Sequence, residues 1–355
     1  MKDFTLKPAQ RIGTRKPYSP PIKSSRITLK LDNNEGAAVD DSLLDVVRSI
    51  DPQQLTRYPD ASFLEQTIAE RFGVDPSQVI VTNGGDDAID RVCRAVLSPG
   101  DLMCTHAPGF EMIPRYAELA GARVGYVDWM DGQFPTGAMV DSIRGETRMV
   151  ALVSPCNPTG GVIEPESIRT IASTARKVGA LVLLDQAYIE FADDDTIDQF
   201  LENPNLVVVR TLSKAMGLAG LRVGYAIGSS EVISWLRTVG GPYPVSVLSL
   251  LIAQKAFERS FQRTSIIEQT IANRARLEEA LEGIGAHVLP SQANFVLAQF
   301  ADSQSVWEEL QRHGISVRRY SNDDLLRSSL RITVPTNEAQ QNQLLNALTT
   351  IGGNA

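Results

Sequence analysis

Apolar, β-branched runs recur along the chain at 78–82, 102–105, 123–127, 149–153, 180–184, 206–209 and 223–227. Between them apolar residues return every three or four positions, as over 86–97 and 165–177. That spacing predicts helices about as long as a right-handed crossover requires. Strands alternating with helices predict a mostly parallel sheet covered on both faces, in a large domain over residues 45–245. From 245 to 283 the spacing stays helical with few breakers. Beyond it, runs at 293–298, 315–318 and 330–334 alternate with helical stretches, so residues 246–355 are expected to form a long helix and a small α+β domain. The first forty residues, with Pro17, Pro20 and Pro21, show no clear period. Residues 1–44 are expected to run as an extended arm over the surface and to lend a segment to the small domain.

The fold class is therefore α/β, with two lobes and a cleft between them, because 355 residues exceed the roughly 250 to 300 at which a single core stops growing. A net charge of −8 and the lack of a Lys/Arg cluster interleaved with aromatics argue against a nucleic-acid partner. Cys93, Cys104 and Cys156 are an odd number without paired spacing, and with only three histidines they make no zinc set. A reducing cytoplasm fits them best. The N-terminus lacks the apolar block of a signal peptide, and no run approaches the roughly 18 apolar residues of a membrane helix, so a soluble protein is expected.

The chemistry-bearing residues follow the strands. Lys214, in Thr211-Leu-Ser-Lys214, comes directly after an apolar run, where a lysine is costly unless it is paired, neutralised or consumed in a covalent bond. A cofactor Schiff base is such a bond, and burial near other cations would lower its pKa toward the nucleophilic amine. Thr211, Ser213 and Arg222 add two hydroxyls and a guanidinium fork suited to a phosphate ester. Asp185 closes 180–185, at the end of a central strand where open α/β sheets bind ligands, and there it can pair with a protonated pyridine nitrogen. Asn157 sits between prolines that fix its amide, and Gly85 and Asp86 open a helix whose N-terminus favours an anion. Phe110 could stack on an aromatic ring. Taken singly, each fits a plain role as well: a strand-end lysine, a helix-capping aspartate, a turn asparagine, a packed phenylalanine.

Taken in order, Asn83-Gly-Gly-Asp-Asp87, Pro108-Gly-Phe110, Asn157-Pro-Thr-Gly160, Asp185-Gln-Ala-Tyr188, Ser213-Lys214 and Arg222 resemble the fold type I pyridoxal-phosphate (PLP) aminotransferases. Within them the chain is most similar to the histidinol-phosphate aminotransferase family. Lys16-Pro-Tyr18, Leu31-Asp-Asn-Asn-Glu35, Arg57-Tyr-Pro-Asp60, Leu218-Ala-Gly-Leu-Arg222, Pro242-Tyr-Pro-Val245 and Leu330-Arg-Ile-Thr-Val334 carry that likeness from about residue 17 to 350.

The resemblance implies PLP as cofactor, Lys214 as Schiff-base lysine and proton carrier, and Asp185 on the pyridine nitrogen. It puts Tyr188 and Asn157 on the ring oxygen, Phe110 on the ring face, and Gly85, Asp86, Thr211, Ser213 and Arg222 at the phosphate. Tyr58 would reach the phosphate of a neighbouring subunit, which implies a homodimer with shared sites. Tyr18, Asn34, Arg318 and Arg331 would surround the substrate, an amino donor such as histidinol phosphate or an aromatic amino acid, with a 2-oxo acid, 2-oxoglutarate, as acceptor. Three positions depart from the family pattern: Gln186 stands for the usual glutamate, Cys156 for a frequent asparagine, and Pro335 where glycine is common. Two rival readings remain beside transamination: decarboxylation of a phospho-amino acid, as in threonine-phosphate decarboxylase, and a PLP-fold protein that binds without turnover. No Gly-x-Gly-x-x-Gly opens a strand-helix unit, which disfavours a nucleotide-dependent oxidoreductase.

Overall fold

The structure is a computed structural model and describes residues 9, 11–13, 15–17, 26–39, 41–259, 263–321 and 323–353. Its strands are β1 (Leu29–Leu31), β2 (Val79–Thr82), β3 (Leu102–Ala107), β4 (Arg123–Asp128), β5 (Thr147–Val153), β6 (Leu181–Asp185), β7 (Leu206–Thr211), β8 (Gly224–Ile227), β9 (His287–Val288), β10 (Phe295–Gln299), β11 (Ile315–Arg319) and β12 (Ser329–Thr333). Its helices are α1 (Asp45–Arg48), α2 (Ser62–Phe72), α3 (Gly84–Val96), α4 (Met112–Ala120), α5 (Thr136–Ser142), α6 (Pro165–Lys177), α7 (Ser230–Val239), α8 (Val247–Glu258), α9 (Thr264–Gly283), α10 (Ser303–Arg312) and α11 (Glu338–Gly353).

The seven apolar runs of the first 230 residues are the seven strands of one sheet, in the order β2-β8-β7-β6-β5-β3-β4. Strands β3 to β7 pair in parallel, whereas β8 runs antiparallel to both β7 and β2. The period of two divides each central strand between two cores. Val150 and Leu152 of β5, Val182 and Leu184 of β6, and Leu206 and Val208 of β7 face α2, α5, α6 and α8. Their neighbours Met149, Ala151, Val153, Leu181, Leu183, Val207 and Val209 face α3, α4 and α7. A strand buried on both faces therefore reads as a continuous apolar run.

A second sheet, β1-β11-β12-β10-β9, packs against α9, α10 and α11 around Leu277, Leu281, Leu310, Val317, Ile332 and Leu344. Within the segment 1–44, residues 29–31 form β1 and pair in parallel with β11; Leu29 and Leu31 are buried with Lys30 exposed between them, a pattern too short to show a period. One feature differs from the sequence expectation: the helical stretch of 245–283 is two helices. At the break Arg259 Nη1 donates to Ser42 Oγ (2.6 Å), and Arg263 donates to the carbonyls of Ala215, Ala37 and Ala38. The described part of the arm lies on α4, where Arg15 pairs with Glu118 (2.9 Å) and Arg115 donates to the Lys16 carbonyl (2.6 Å). Among the described residues no helix is long and apolar enough to cross a membrane.

Segment 33–37, leaving β1, crosses the turn 214–217 that follows β7 with backbone against backbone. A Cβ on Gly36 would sit 1.9 Å from the Lys214 carbonyl oxygen, and one on Gly217, whose φ is +68°, would sit 2.1 Å from the Ala37 carbonyl oxygen. Gly36→Ala is expected to lower the free energy of unfolding by about 2 to 4 kcal/mol in a urea titration. Gly137→Ala on α5, where nothing lies within 4 Å, is the control and is expected to be neutral or slightly stabilising.

Candidate active site

A cavity of about 520 Å³ opens at the carboxyl ends of β3, β5, β6 and β7 and is closed on its other side by segment 32–35 and by residues of β11 and β12. This is the crevice where ligands of open α/β sheets bind. Asn34, Gly85, Asp86, Phe110, Asn157, Asp185, Tyr188, Thr211, Ser213, Lys214, Arg222, Arg318 and Arg331 all line it. Tyr58 does not; it is 80% exposed and stacks on Tyr243 at 4.6 Å between ring centroids. Tyr18 lies outside the described residues.

Lys214 stands three residues past β7. Its Nζ donates to the Asn33 carbonyl (3.2 Å) and lies 5.5 Å from the centre of the Tyr188 ring. Burial, helped by the charges of Arg331 and Arg222, pushes the amine down to about 8. Asp185 ends β6, in register with Val153 of β5 and Val209 of β7. Its Oδ1 accepts the Ala187 N–H (3.1 Å), and burial raises the carboxyl to about 7, a rise that the attraction of Lys214 only partly offsets. Tyr188 is packed edge-on against Phe295, and its hydroxyl oxygen accepts Asn34 Nδ2 (3.1 Å).

Just before Lys214, the Thr211 and Ser213 hydroxyls bond each other at 2.8 Å. Arg222, in the left-handed region at φ +54°, donates to Asp86 Oδ2 (3.1 Å) and to the Ala219 carbonyl (3.3 Å). The first amides of α3, from Gly84 onward, are left free by helix geometry and lie beside that guanidinium. The space is kept by glycines: a Cβ on Gly84 would meet Arg222 Nη2 at 2.7 Å, and one on Gly224 would meet the Gly84 carbonyl carbon at 2.5 Å.

Arg331 on β12 bridges the two sheets, donating to Asn157 Oδ1 (2.5 Å) and to the Asp32 carbonyl (2.8 Å). Its Nε is buried and has no hydrogen-bond partner among the described residues. Arg318, on β11, stands 3.7 Å from Glu111. Asn34, at φ +54° and 1% exposed, is a hub: Thr333 Oγ1 bonds its side-chain oxygen and its backbone N–H, and Asn294 donates to its carbonyl. Sequence reasoning missed Asp32, Asn33, His106 and Tyr320, which also line the cavity. Asp32 and Asn33 act through backbone carbonyls, which leave no mark in a sequence, whereas His106 falls between the apolar run 102–105 and Pro108-Gly-Phe110 and belonged to neither pattern.

The model of the aminotransferase class I and II family matches residues 29–348. A histidinol-phosphate aminotransferase of Thermoanaerobacter sp. is 35% identical over 330 residues, 90% of this chain and 92% of that relative. One of Salmonella typhimurium is 37% identical over 298 residues, 81% of this chain and 82% of the relative. The crystal structure of histidinol-phosphate aminotransferase from Sinorhizobium meliloti in complex with pyridoxal-5'-phosphate superimposes with a TM-score of 0.83 at 24% identity, covering 92% of each chain.

Fold and relationship together define a PLP-dependent transferase of fold type I. The chain belongs to the aminotransferase class I and II family, and its cofactor is pyridoxal phosphate. The residues present fit that group. A primary amine held near neutrality, a buried carboxyl with no cation of its own in hydrogen-bond contact among the described residues, and a glycine-cleared anion cradle stand around one cavity.

Burial of Asp185 gives a signed pH dependence in the cofactor-free protein. An unfolded aspartate ionises near 4, and this one stays protonated up to about 7, so the stability it contributes is complete below pH 4 and is lost as pH rises through about 7. Asp185→Asn keeps an acceptor for Ala187 N–H and cannot ionise. The cofactor-free variant is expected to be more stable than the parent by about 2 to 4 kcal/mol at pH 8, with little difference at pH 4, in urea titrations at the two pH values.

Proposed function

We propose that this aminotransferase moves an amino group between histidinol phosphate, or a related amino compound, and 2-oxoglutarate, with Lys214 as the residue that binds the cofactor covalently and carries the proton. The observation that carries the reading is the gathering of Lys214, Asp185 and two arginines of the second sheet, Arg318 and Arg331, around one cavity. The names of the relatives, histidinol-phosphate aminotransferases at 35% and 37% identity, support the substrate and a place in histidine biosynthesis.

When bound, pyridoxal phosphate supplies a conjugated pyridine ring that takes up the electron pair released at the substrate α-carbon. Asp185 would hold the proton on the pyridine nitrogen. Lys214 Nζ, an amine that ionises near 8, is neutral often enough near neutral pH to take the α-proton and return it. Asn34 already donates to the Tyr188 oxygen, so the phenol proton is free for the ring oxygen. Arg331 occupies Asn157 Oδ1, which leaves the Asn157 amide hydrogens as donors to the same oxygen. Phe110 would cover the ring, while Gly85, Asp86, Thr211, Ser213 and Arg222 would hold the phosphate, Asp86 through its backbone N–H and by orienting Arg222. The Nε of Arg331, without a partner among the described residues, is a donor for the substrate's anionic group, with Arg318 and Asn34 beside it.

The same reading makes the protein a homodimer in which Tyr58 reaches the partner's cofactor phosphate. Its exposure, outside its own chain's cavity and close in sequence to the exposed Leu55, supports this. The three cysteines are free and buried, which suits a reducing cytoplasm.

Lys214→Ala is expected to abolish turnover and the visible absorbance of the lysine-bound cofactor, and Asp185→Asn to keep the absorbance but slow turnover by at least about 100-fold. The substrate test is a panel of histidinol phosphate, aromatic amino acids, L-glutamate and threonine phosphate. Conversion of the bound cofactor to its amine form by histidinol phosphate, and back by 2-oxoglutarate, supports the reading. Release of carbon dioxide from threonine phosphate, without that conversion, would replace it with decarboxylation.

A further inference from the structure

Two turns bring Phe110 and Asn157 to the cavity, one after β3 and one after β5. The two strands are paired only from Leu102↔Thr147 to Thr105↔Ala151, although β5 continues to Val153. Side chains provide the links from that rung onward. Thr105 Oγ1 donates to the Ala151 carbonyl (2.9 Å), and the Val153 N–H donates to His106 Nε2 (3.1 Å). A backbone N–H can only donate, so Nε2 carries the lone pair and the hydrogen of the neutral ring is on Nδ1. Nδ1 stands 3.1 Å from the Pro108 carbonyl oxygen, its acceptor.

One imidazole thus ties the last residue of β5 to the turn that ends in Phe110. From the other turn, Cys156 Sγ reaches the same Pro108 oxygen at 3.6 Å. The ring cannot swing: it is 1% exposed, with Trp129 and Phe134 edge-on at 5.2 and 5.9 Å. Burial also holds it neutral, pushing the imidazole down to about 4.

We propose that His106 is a positioning residue for the cofactor, fixing the separation and tilt of Phe110 relative to Asn157. The proposal rests on the reading above that these two residues contact the cofactor ring. His106 takes the place of a strand rung where β3 and β5 part, so it holds the crevice open and at a set width. Both of its ring nitrogens are taken by backbone partners, so it acts through the two turns it joins.

The chain has three histidines, so the His106 ring can be identified in a ¹⁵N spectrum by its loss in His106→Gln. In the cofactor-free protein at neutral pH its Nδ1 should be protonated and its Nε2 bare; the opposite tautomer overturns the proposal. His106→Phe keeps a ring against Trp129 and Phe134 but loses both hydrogen bonds. It should bind pyridoxal phosphate about tenfold more weakly and change the visible circular dichroism of the bound cofactor. His106→Gln, whose amide offers a donor and an acceptor, should recover part of both. Unchanged affinity and dichroism in His106→Phe, even with a lower melting temperature, would show a purely structural histidine. Should His106→Phe fail to fold, the same two measurements on His106→Gln, with the tautomer, decide. Phe110→Ala and Asn157→Ala are the controls: if neither alters affinity or dichroism, it is the assignment of the ring contacts that fails.

Discussion

Where segment 33–37 crosses the turn 214–217, two glycines let one backbone lie on another, and the placement of Lys214 follows from that contact. It sets the Asn33 carbonyl within hydrogen-bond reach of Lys214 Nζ and fixes Asn34 between Tyr188, three residues beyond β6, and Thr333 of β12 and Asn294 just before β10. Arg331 makes the same crossing in the other direction, from β12 to Asn157 and the Asp32 carbonyl. The cavity is therefore walled by both sheets. Side chains held by short polar links to backbone have few alternative rotamers, which is what a site needs if it is to be organised before its ligand arrives.

That organisation sets two groups against their preferred charge. Asp185 is buried at a strand end with one backbone N–H for company, and Lys214 shares its cavity with three arginines, Arg222, Arg318 and Arg331. Each is neutralised in part by burial, and the two shifts have opposite signs: the acid is pushed up to about 7 and the amine down to about 8. Both would gain from a ligand that brings a pyridine nitrogen to one and a carbonyl to the other. Stability withheld from the cofactor-free fold in this way would be recovered with such a ligand, since a ligand bound only by the native state stabilises it.

The fold and much of the site were legible because both obey one rule of the chain. Gly85, Phe110, Asn157, Asp185 and Lys214 all stand at a strand end or within four residues beyond one, so an apolar run followed by polar, glycine or proline residues marks each position. The direction of a strand leaves no such mark, and the apolar run 223–227 hid the fact that β8 is antiparallel. Residues 29–31 gave too few alternations to be read as a strand. The carbonyl of Asn33 comes from 181 positions before Lys214, and no local pattern encodes an approach of that kind.

Two departures from the family pattern find physical reasons in the structure. Gln186 Oε1 accepts two N–H groups from Arg210, a guanidinium buried on β7 whose other edge is taken by Asp195. Glu190 is enclosed beside that guanidinium, and Arg71 stands near the same carboxylates. Two arginines and two acids leave the cluster balanced, so a neutral amide at 186 satisfies Arg210 without a third carboxylate. A glutamate there would add negative charge one residue from Asp185, whose carboxyl is already hard to ionise, and would push it further toward the neutral form. Pro335 is fixed by the buried Asn273, which donates to its carbonyl oxygen at 2.8 Å. That bond anchors the chain just beyond β12, four residues from Arg331, so the ring that replaces glycine stiffens the exit of the strand that presents the arginine. In both places the altered residue lies outside the cavity and acts on the groups that line it.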